Sequence, residues 1–417
     1  MKSVAHDALI IKNASQLLTI GKGPKTGEEM SELNVVENGA VAVIEGKIAD
    51  VGNTKEIISA YEKPHVIDAE GCVVMPGFVD PHTHAVFSGT REDEMFMRIR
   101  GASYIEILAK GGGILRTMRA TRAASMEKLA MESERRLLTM LRHGTTTAEV
   151  KSGYGLSTEH EIKMLRAINM LNEKLPIDLI PTFLGAHALP PEFKSTEDYI
   201  EDIVKNALPE IRRLALARFV DIFCDKGVFG LDDVIMLFKH AKDMGFGLKI
   251  HSDEMENLGA TRVAAEFGAI SADHLVKSTD EDLEALAKHG TVAVLLPGTP
   301  FILMSNEYPR ARDMIEMGVP VALATDLNPN CYLESMQLVI TLACLKMKMS
   351  AEEAIVASTI NAASAIGVSD VVGSIEVGKK ADIIVLDVEN YEQLPYIFGV
   401  NHVRLVIKDG KVVYRRD

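Results

Sequence analysis

The 417-residue sequence predicts an α/β fold: a (β/α)8 TIM-like barrel with a small β-sandwich domain built from both chain ends. Three observations carry this expectation. Eight apolar runs of strand length alternate with segments of helical periodicity through the middle of the chain. Both ends carry hairpin patterns and few helical signals. Most ionisable residues of interest fall where an apolar run stops.

Taken in order, residues 39–52 are two short apolar runs around Glu45-Gly46, the pattern of a hairpin. The eight candidate barrel strands are 72–80, 145–150, 177–186, 218–223, 246–251, 270–275, 291–297 and 319–326. Helical periodicity occupies 127–142, 159–173, 231–244, 257–268 and 279–289. Thr158 with Glu161, and Ser278 with Glu281, have the spacing of capping boxes. Residues 381–388 form a further strand, and a last hairpin turns at Asp409-Gly410. The simplest arrangement joins 1–73 to 375–417 as one composite β-domain, with 74–374 inserted as the barrel. A doubly wound open sheet is the alternative, but its Gly-x-Gly-x-x-Gly turn after the first strand is missing.

Composition excludes several classes of function. Apolar content of 47% and charged content of 25% are ordinary for a globular protein. A net charge of −14 without a Lys/Arg run argues against nucleic acid or an anionic membrane as partner. An anionic small molecule remains possible, given a locally placed arginine. Four scattered cysteines, none in a Cys-x-x-Cys pair, fit a reducing compartment and a cytoplasmic location. The first 15 residues lack the pattern of a signal peptide, and no apolar run approaches the roughly 18 residues of a membrane helix.

The chemistry begins at His82-Thr83-His84. Residues two apart on a strand point to the same side, so these imidazoles aim at one point. His187 follows the third run, His251 ends the fifth with Glu254 three residues later, His274 ends the sixth, and Asp326 ends the eighth. In a barrel these positions share the C-terminal face, where active sites assemble. Singly, each has an ordinary reading: His187 a loop residue, His274 a hydrogen-bonded core histidine, Asp326 a turn former, Glu254 an acid at a helix start. The other histidines, His6, His65, His143, His160, His240, His289 and His402, lack strand-end placement and read as structural. Three imidazoles and a carboxylate suit zinc or iron and leave room for water. Such an ion lowers the water's pKa from about 15.7 towards 7. A nearby carboxylate is then needed to move the proton.

The segments PGFVDPHTHAVFSGTRE, TRAAS, HGTTTAEVKSGYGL, FLGAHALPPE, GFGLKIHSDE, SADHL, VAVLLPGT, LATDLNP and GVNHV resemble the amidohydrolase superfamily, and within it the imidazolonepropionase family. They span nearly the whole chain in order. The resemblance implies one divalent or trivalent metal ion per subunit, zinc or iron, held by His82, His84, His251 and Asp326. It implies catalytic roles for Glu254 and His274, and substrate contacts from Arg91, Tyr154, His187, Glu254 and Asn328. The implied substrate is anionic, 4-imidazolone-5-propanoate, and a homodimer is implied as well. On the residues alone, Arg91 reads as a salt bridge to Glu92, Asp93 or Glu94; the resemblance makes it a carboxylate fork. Where the family commonly has Asn-Pro-Gly-Ser/Thr, this chain has Asn328-Pro329-Asn330-Cys331, and the resemblance implies substrate contacts from Asn330 and Cys331 at those two positions. The run ending the fourth strand has no lysine before its end, and Lys226 lies just beyond, favouring one metal over two. Two rivals stand beside this reading. A nucleobase deaminase of the same superfamily shares the metal set, but Arg91, Tyr154 and the KSGYG segment argue against it. The other is a barrel that binds a partner without catalysis, against which the intact metal set argues.

Overall fold

The computed structural model describes residues 8–102, 106–107 and 110–416; His6 lies outside them. The chain opens with Leu9–Leu18 (β1), Val35–Ile44 (β2), Lys47–Asn53 (β3), His65–Asp68 (β4) and Val73–Pro76 (β5). Eight strands follow: Phe78–Asp80 (β6), Thr145–Lys151 (β7), Asp178–Ala186 (β8), Phe219–Cys224 (β9), Gly247–Ser252 (β10), Ser271–His274 (β11), Val292–Leu295 (β12) and Val321–Leu323 (β13). The chain closes with Ile383–Leu386 (β14), Val403–Lys408 (β15) and Lys411–Arg415 (β16).

Strands β6 to β13 pair in sequence order and all in parallel, with helices between most of them. This is the eight-stranded barrel expected from the apolar runs, with one correction. The run 72–80 is two strands in two sheets. β5 pairs with β14 and β1, and β6 pairs with β7 of the barrel. The switch falls at Gly77, where a Cβ would lie 2.4 Å from the Thr146 side chain. Only a residue without Cβ lets the backbone pass there. A continuous apolar run carries no mark of such a change of sheet, because both halves are equally buried.

The barrel ladder runs from β6 to β13 and is closed by a seam between those two strands. The Thr325 hydroxyl donates to Asp80 Oδ2 at 2.6 Å, and its N–H donates to Asp80 Oδ1 at 3.2 Å. The Asp326 N–H donates to the His82 carbonyl at 3.2 Å and the His84 N–H to the Leu327 carbonyl at 2.8 Å.

Both chain ends enter one sheet, ordered β16-β15-β14-β5-β1-β2-β3, with β4 beside β1. The sheet folds over until its outer hairpins touch. The Ala381 N–H donates to the Gly46 carbonyl at 2.8 Å, and the Gly410 N–H to the Ala381 carbonyl at 3.0 Å. Gly46 and Gly410 both have left-handed φ, +77° and +74°, and a Cβ on Gly46 would meet the Asp409 carbonyl at 2.8 Å. Enclosed between are Ile11, Leu17, Val41, Val74, Ile383 and Leu405, a core separate from that of the barrel. No helix among the described residues is long and apolar enough to cross a membrane.

Both expected capping boxes are displaced. The helix Asp280–His289 is boxed by Thr279 and Asp282, because the Ser278 hydroxyl donates instead to Asp253 Oδ2 at 2.7 Å. The helix Thr158–Lys174 has Ser157 at its N-cap, and Glu161 serves the preceding loop. Thr325→Val removes a hydrogen bond from the buried Asp80 carboxylate. The expected cost is about 1–3 kcal/mol, read as a lower thermal unfolding midpoint by calorimetry.

Candidate active site

His82 and His84 follow β6, and the seam brings Asp326 against them. His82 Nε2 lies 3.6 Å and His84 Nε2 3.7 Å from Asp326 Oδ1. Asp326 Oδ2 accepts from the Thr299 hydroxyl at 2.5 Å, which leaves Oδ1 facing the imidazoles. From β10, His251 brings its Nε2 to 3.4 Å from His84 Nε2. Two overlapping groups, His82/His84/Asp326 and His82/His251/His274, have donor atoms within 4.8 Å of one another. The four residues expected to hold a metal therefore converge, and His274 adjoins them.

The donor chemistry fits a cation. His82 Nδ1 is 2.6 Å from Asp273 Oδ2, and His251 Nδ1 is 3.1 Å from Asp221 Oδ1. A carboxylate there accepts the Nδ1 proton, so each Nε2 presents its lone pair. Burial, reinforced by the Lys151 charge and the neighbouring imidazoles, pushes the His82 and His251 pKa values well down, so both rings are neutral. His84 is likewise held neutral by burial and by His187. His82 Nε2 is buried without a hydrogen-bond partner among the described residues. Lone pairs that converge with no proton to share suit a divalent ion coordinated by nitrogen and oxygen.

Glu254 and His274 stand at the rim. His274 Nδ1 is 3.8 Å from Glu254 Oε2. Glu254 is about one-fifth exposed, and loss of surrounding water, with the Asp225 charge nearby, pushes its pKa up to about 7. Asp225, just after β9, anchors the turn that carries Glu254. Its carboxylate accepts from the N–H groups of Glu254 (2.9 Å), Met255 (2.8 Å) and Glu256 (3.0 Å). His274 and Asp326 have left-handed backbones, φ 81° and 52°, and Asp253 beside Glu254 has φ 56°. Such conformations in residues other than glycine are strained and persist where neighbours enforce them.

The expected substrate residues divide into two groups. His187 stacks on His84 with centroids 4.9 Å apart, and Tyr154 lies 5.2 Å from His187 and 5.7 Å from His84. Arg91 is buried at the end of the loop that leaves β6, just before the helix Glu92–Ile99. Arg91 is also paired as the residue-based reading expects. Its Nε and Nη2 donate to Glu94 Oε2 at 2.9 and 2.8 Å. Asn328, by contrast, spends its side chain on its own turn. Its Nδ2 donates to the Asp326 carbonyl at 2.8 Å, and its Oδ1 accepts from the N–H groups of Asn330 (2.7 Å) and Cys331 (3.0 Å). Asn330 is absent from the left-handed residues of the backbone, so glycine is not required at that position. Cys331 is buried with its Sγ 3.8 Å from the Thr325 carbonyl, and burial raises its thiol pKa, which leaves it an inert neutral group. Lys226 pairs with Glu256 on the surface and takes no part in the centre.

The residues that sequence reasoning missed lie directly beneath. Glu149, Lys151, Asp221, Lys249 and Asp273 are all fully buried. Each sits inside an apolar strand, as in AEVK, FVDIF, LKIH and SADH. The available signal was a charge inside an apolar strand, for Glu149, Lys151, Lys249 and Asp273 two residues from another polar group; Asp221, flanked at that spacing by Phe219 and Phe223, had only the first. Glu161 was also misread. It accepts from the N–H groups of Gly153 (2.9 Å), Gly155 (2.7 Å) and Leu156 (2.8 Å), shaping the loop that presents Tyr154.

Fold and donor set together define a metal-dependent hydrolase of the amidohydrolase type, and the comparisons agree. The Amidohydrolase family matches residues 73–413. The E. coli guanine deaminase structure superposes with a TM-score of 0.74 at 17% identity, covering 98% of this chain and 100% of that one. A Klebsiella pneumoniae 5-methylcytosine deaminase reaches 0.75 at 17%, covering 98% of each chain. At that identity the likeness concerns the fold alone. Imidazolonepropionases are far nearer in sequence: that of Geobacillus kaustophilus is 49% identical over 414 residues, 97% of each chain. That of Bacillus velezensis is 48% identical over 410 residues, 98% of this chain and 97% of its own. The chain belongs to the imidazolonepropionase family.

His251→Ala is expected to lose bound metal and activity together while remaining folded, checked by elemental analysis alongside circular dichroism. Retention of a full equivalent of metal would remove His251 from the ligand set.

Proposed function

We propose that this protein hydrolyses the ring amide of 4-imidazolone-5-propanoate to N-formimidoyl-L-glutamate, a step of histidine degradation. One observation carries the reading: a buried nitrogen-and-carboxylate donor set adjoins Tyr154 and His187, and buried Arg91 closes the loop that leaves β6 through His82 and His84. The similarity to imidazolonepropionases supports the same substrate. His82, His84, His251 and Asp326 would hold one zinc or iron ion. When bound, such an ion supplies Lewis acidity and a water of lowered pKa.

The chain's own groups supply the rest. Glu254, once ionised, takes the proton of the attacking water, whose oxygen adds to the ring carbonyl carbon. His274, next to Glu254, donates to the oxygen that gains charge. Glu254 then returns the proton to the departing ring nitrogen as the carbon–nitrogen bond breaks. Arg91 faces the propanoate carboxylate with the guanidinium donors that Glu94 does not use. A homodimer in the cytoplasm accompanies this reading as a proposal, and light scattering reports the oligomer.

The deciding assay follows the ultraviolet absorbance of imidazolonepropanoate with and without a chelator. Chelator-sensitive loss of absorbance is expected. Ammonia release from cytosine or guanine, with no such loss, would favour the deaminase. Glu254 works as a base only when ionised, so kcat/KM is expected to fall as pH drops through its pKa, which burial and the Asp225 charge raise to about 7. Glu254→Gln should retain its metal and lose kcat by a factor on the order of 100 or more; full activity in that variant would end its proton-transfer role. Arg91→Lys keeps a cation beside buried Glu94 but loses the fork. KM is expected to rise about tenfold, the equivalent of about 1.4 kcal/mol, in steady-state kinetics.

A further inference from the structure

The buried ionic cluster beneath the donor set has no part in the reaction just described. Lys151 Nζ lies 2.7 Å from Asp221 Oδ2, 2.8 Å from Glu149 Oε2 and 3.5 Å from Asp273 Oδ2. Asp221 and Asp273 are the two carboxylates that hold the Nδ1 atoms of His251 and His82. Lys151 is therefore the cation shared by both orienting carboxylates. We propose that Lys151 is the built-in counter-cation of the metal centre, a positioning residue that ties Asp221 to Asp273 and so holds the His251 and His82 rings in their metal-binding orientation. The proposal rests on the reading of these histidines as metal ligands.

Three arguments support it. The first is charge. The cluster sets three carboxylates, Glu149, Asp221 and Asp273, against two ammonium groups, Lys151 and Lys249, with every member fully buried. Without Lys151, three carboxylates would face one cation in a cavity closed to water, and they would part or take up protons. Either response loosens the imidazoles they hold. Burial disfavours the charge on Lys151, but Asp221, Glu149 and Asp273 together raise its pKa above that of a free lysine.

The second argument is the contrast with Lys249. That ammonium donates to Ser271 Oγ at 2.7 Å and stands 3.5 Å from Glu149 and 3.8 Å from Asp273. It is also shared with the carbonyls of Ala365 (3.3 Å) and Pro81 (3.4 Å), and among the described residues no ion pair joins it to Asp221. Lys249 thus carries the same charge at the same burial without linking the two histidine partners. The third is topology. Lys151 ends β7, Asp221 lies in β9 and Asp273 in β11, so one side chain connects alternate strands across the barrel axis. That is the layered arrangement of side chains that fills such barrels.

The experiment strips the full-length protein of metal and titrates it with zinc in competition with a chromophoric chelator. Cobalt loading in parallel reports ligand geometry through its visible spectrum. Lys151→Met is expected to weaken zinc binding by about 10–100-fold, the usual effect of losing an outer-shell partner, and to alter the cobalt spectrum. Lys249→Met should lower the unfolding midpoint comparably but leave zinc affinity nearly unchanged. If Lys151→Met does not fold, Asp221→Asn, which keeps the side-chain shape, carries the test with the same expected loss of zinc affinity. Unchanged zinc affinity and cobalt spectrum in a folded Lys151→Met or Asp221→Asn variant would overturn the proposal. So would equal weakening by Lys249→Met, which would reduce the cluster to a general charge effect. Wild-type protein that binds neither ion would overturn the metal reading and this proposal together, whereas tight wild-type binding matched by the variants overturns this one alone.

Discussion

The candidate centre depends on a short seam where the first and last barrel strands meet. Thr325 grips the Asp80 carboxylate, and the backbones of His82, His84, Asp326 and Leu327 interlock beyond it. Two imidazoles and one carboxylate come from opposite ends of a chain segment some 240 residues long, and nothing but this closure brings them together. Asp80 is fully buried, and burial lifts its pKa to about 7, with Thr325 opposing the shift. The seam is therefore maintained by satisfying a carboxylate that has no water to turn to.

The same rule operates at the next level inward. A barrel closed to water has to balance each charge where it stands. Asp273 and Asp221 are partnered on one side by histidines and on the other by Lys151. Neutral imidazoles then present unshared nitrogen lone pairs to the mouth. The left-handed backbones of His274 and Asp326 follow from this crowding, since both residues sit where a strand ends and must turn a side chain inward. At the rim, Asp225 accepts three N–H donors and so fixes where Glu254 stands.

The barrel and the converging set were legible because their signals are local. Eight apolar runs mark eight strands, and His82, His84, His251, His274 and Asp326 each follow or end one. The split at Gly77 was not legible, since burial of both halves hides the change of sheet. Nor were Lys151, Lys249 and Asp221 read as interior groups. A lone charge in a strand resembles a solvated position until its partners on other strands are known. Glu161 had capping-box spacing, but loop N–H groups compete for the same carboxylate, and three of them outweigh one. Asn328 shows the opposite case. Its position after the eighth strand was legible, but the hydrogen bonds by which its amide shapes the turn were not.

The fold alone does not set specificity, because deaminases of unlike substrate share it at 17% identity. In this chain each group at the mouth is fixed by a carboxylate a short distance away. Glu94 holds Arg91, and its other oxygen accepts the Gly113 N–H at 3.0 Å, tying the loop after β6 to the run Gly111-Gly112-Gly113. Glu161 shapes the loop of Tyr154, and Arg122 braces that loop through the Gly155 carbonyl at 2.6 Å while pairing with Glu192 beyond β8. Asp225 sets Glu254. Glu94, Glu161 and Arg122 lie on helices and Asp225 on a loop, none of them on a barrel strand, so they can change without disturbing the barrel. A buried Arg91–Glu94 pair is costly to desolvate, and a fork that already shares one carboxylate keeps its orientation before a second arrives. On the proposed reading the arginine is thereby preorganised for an anionic tail, a property that the donor set alone does not confer.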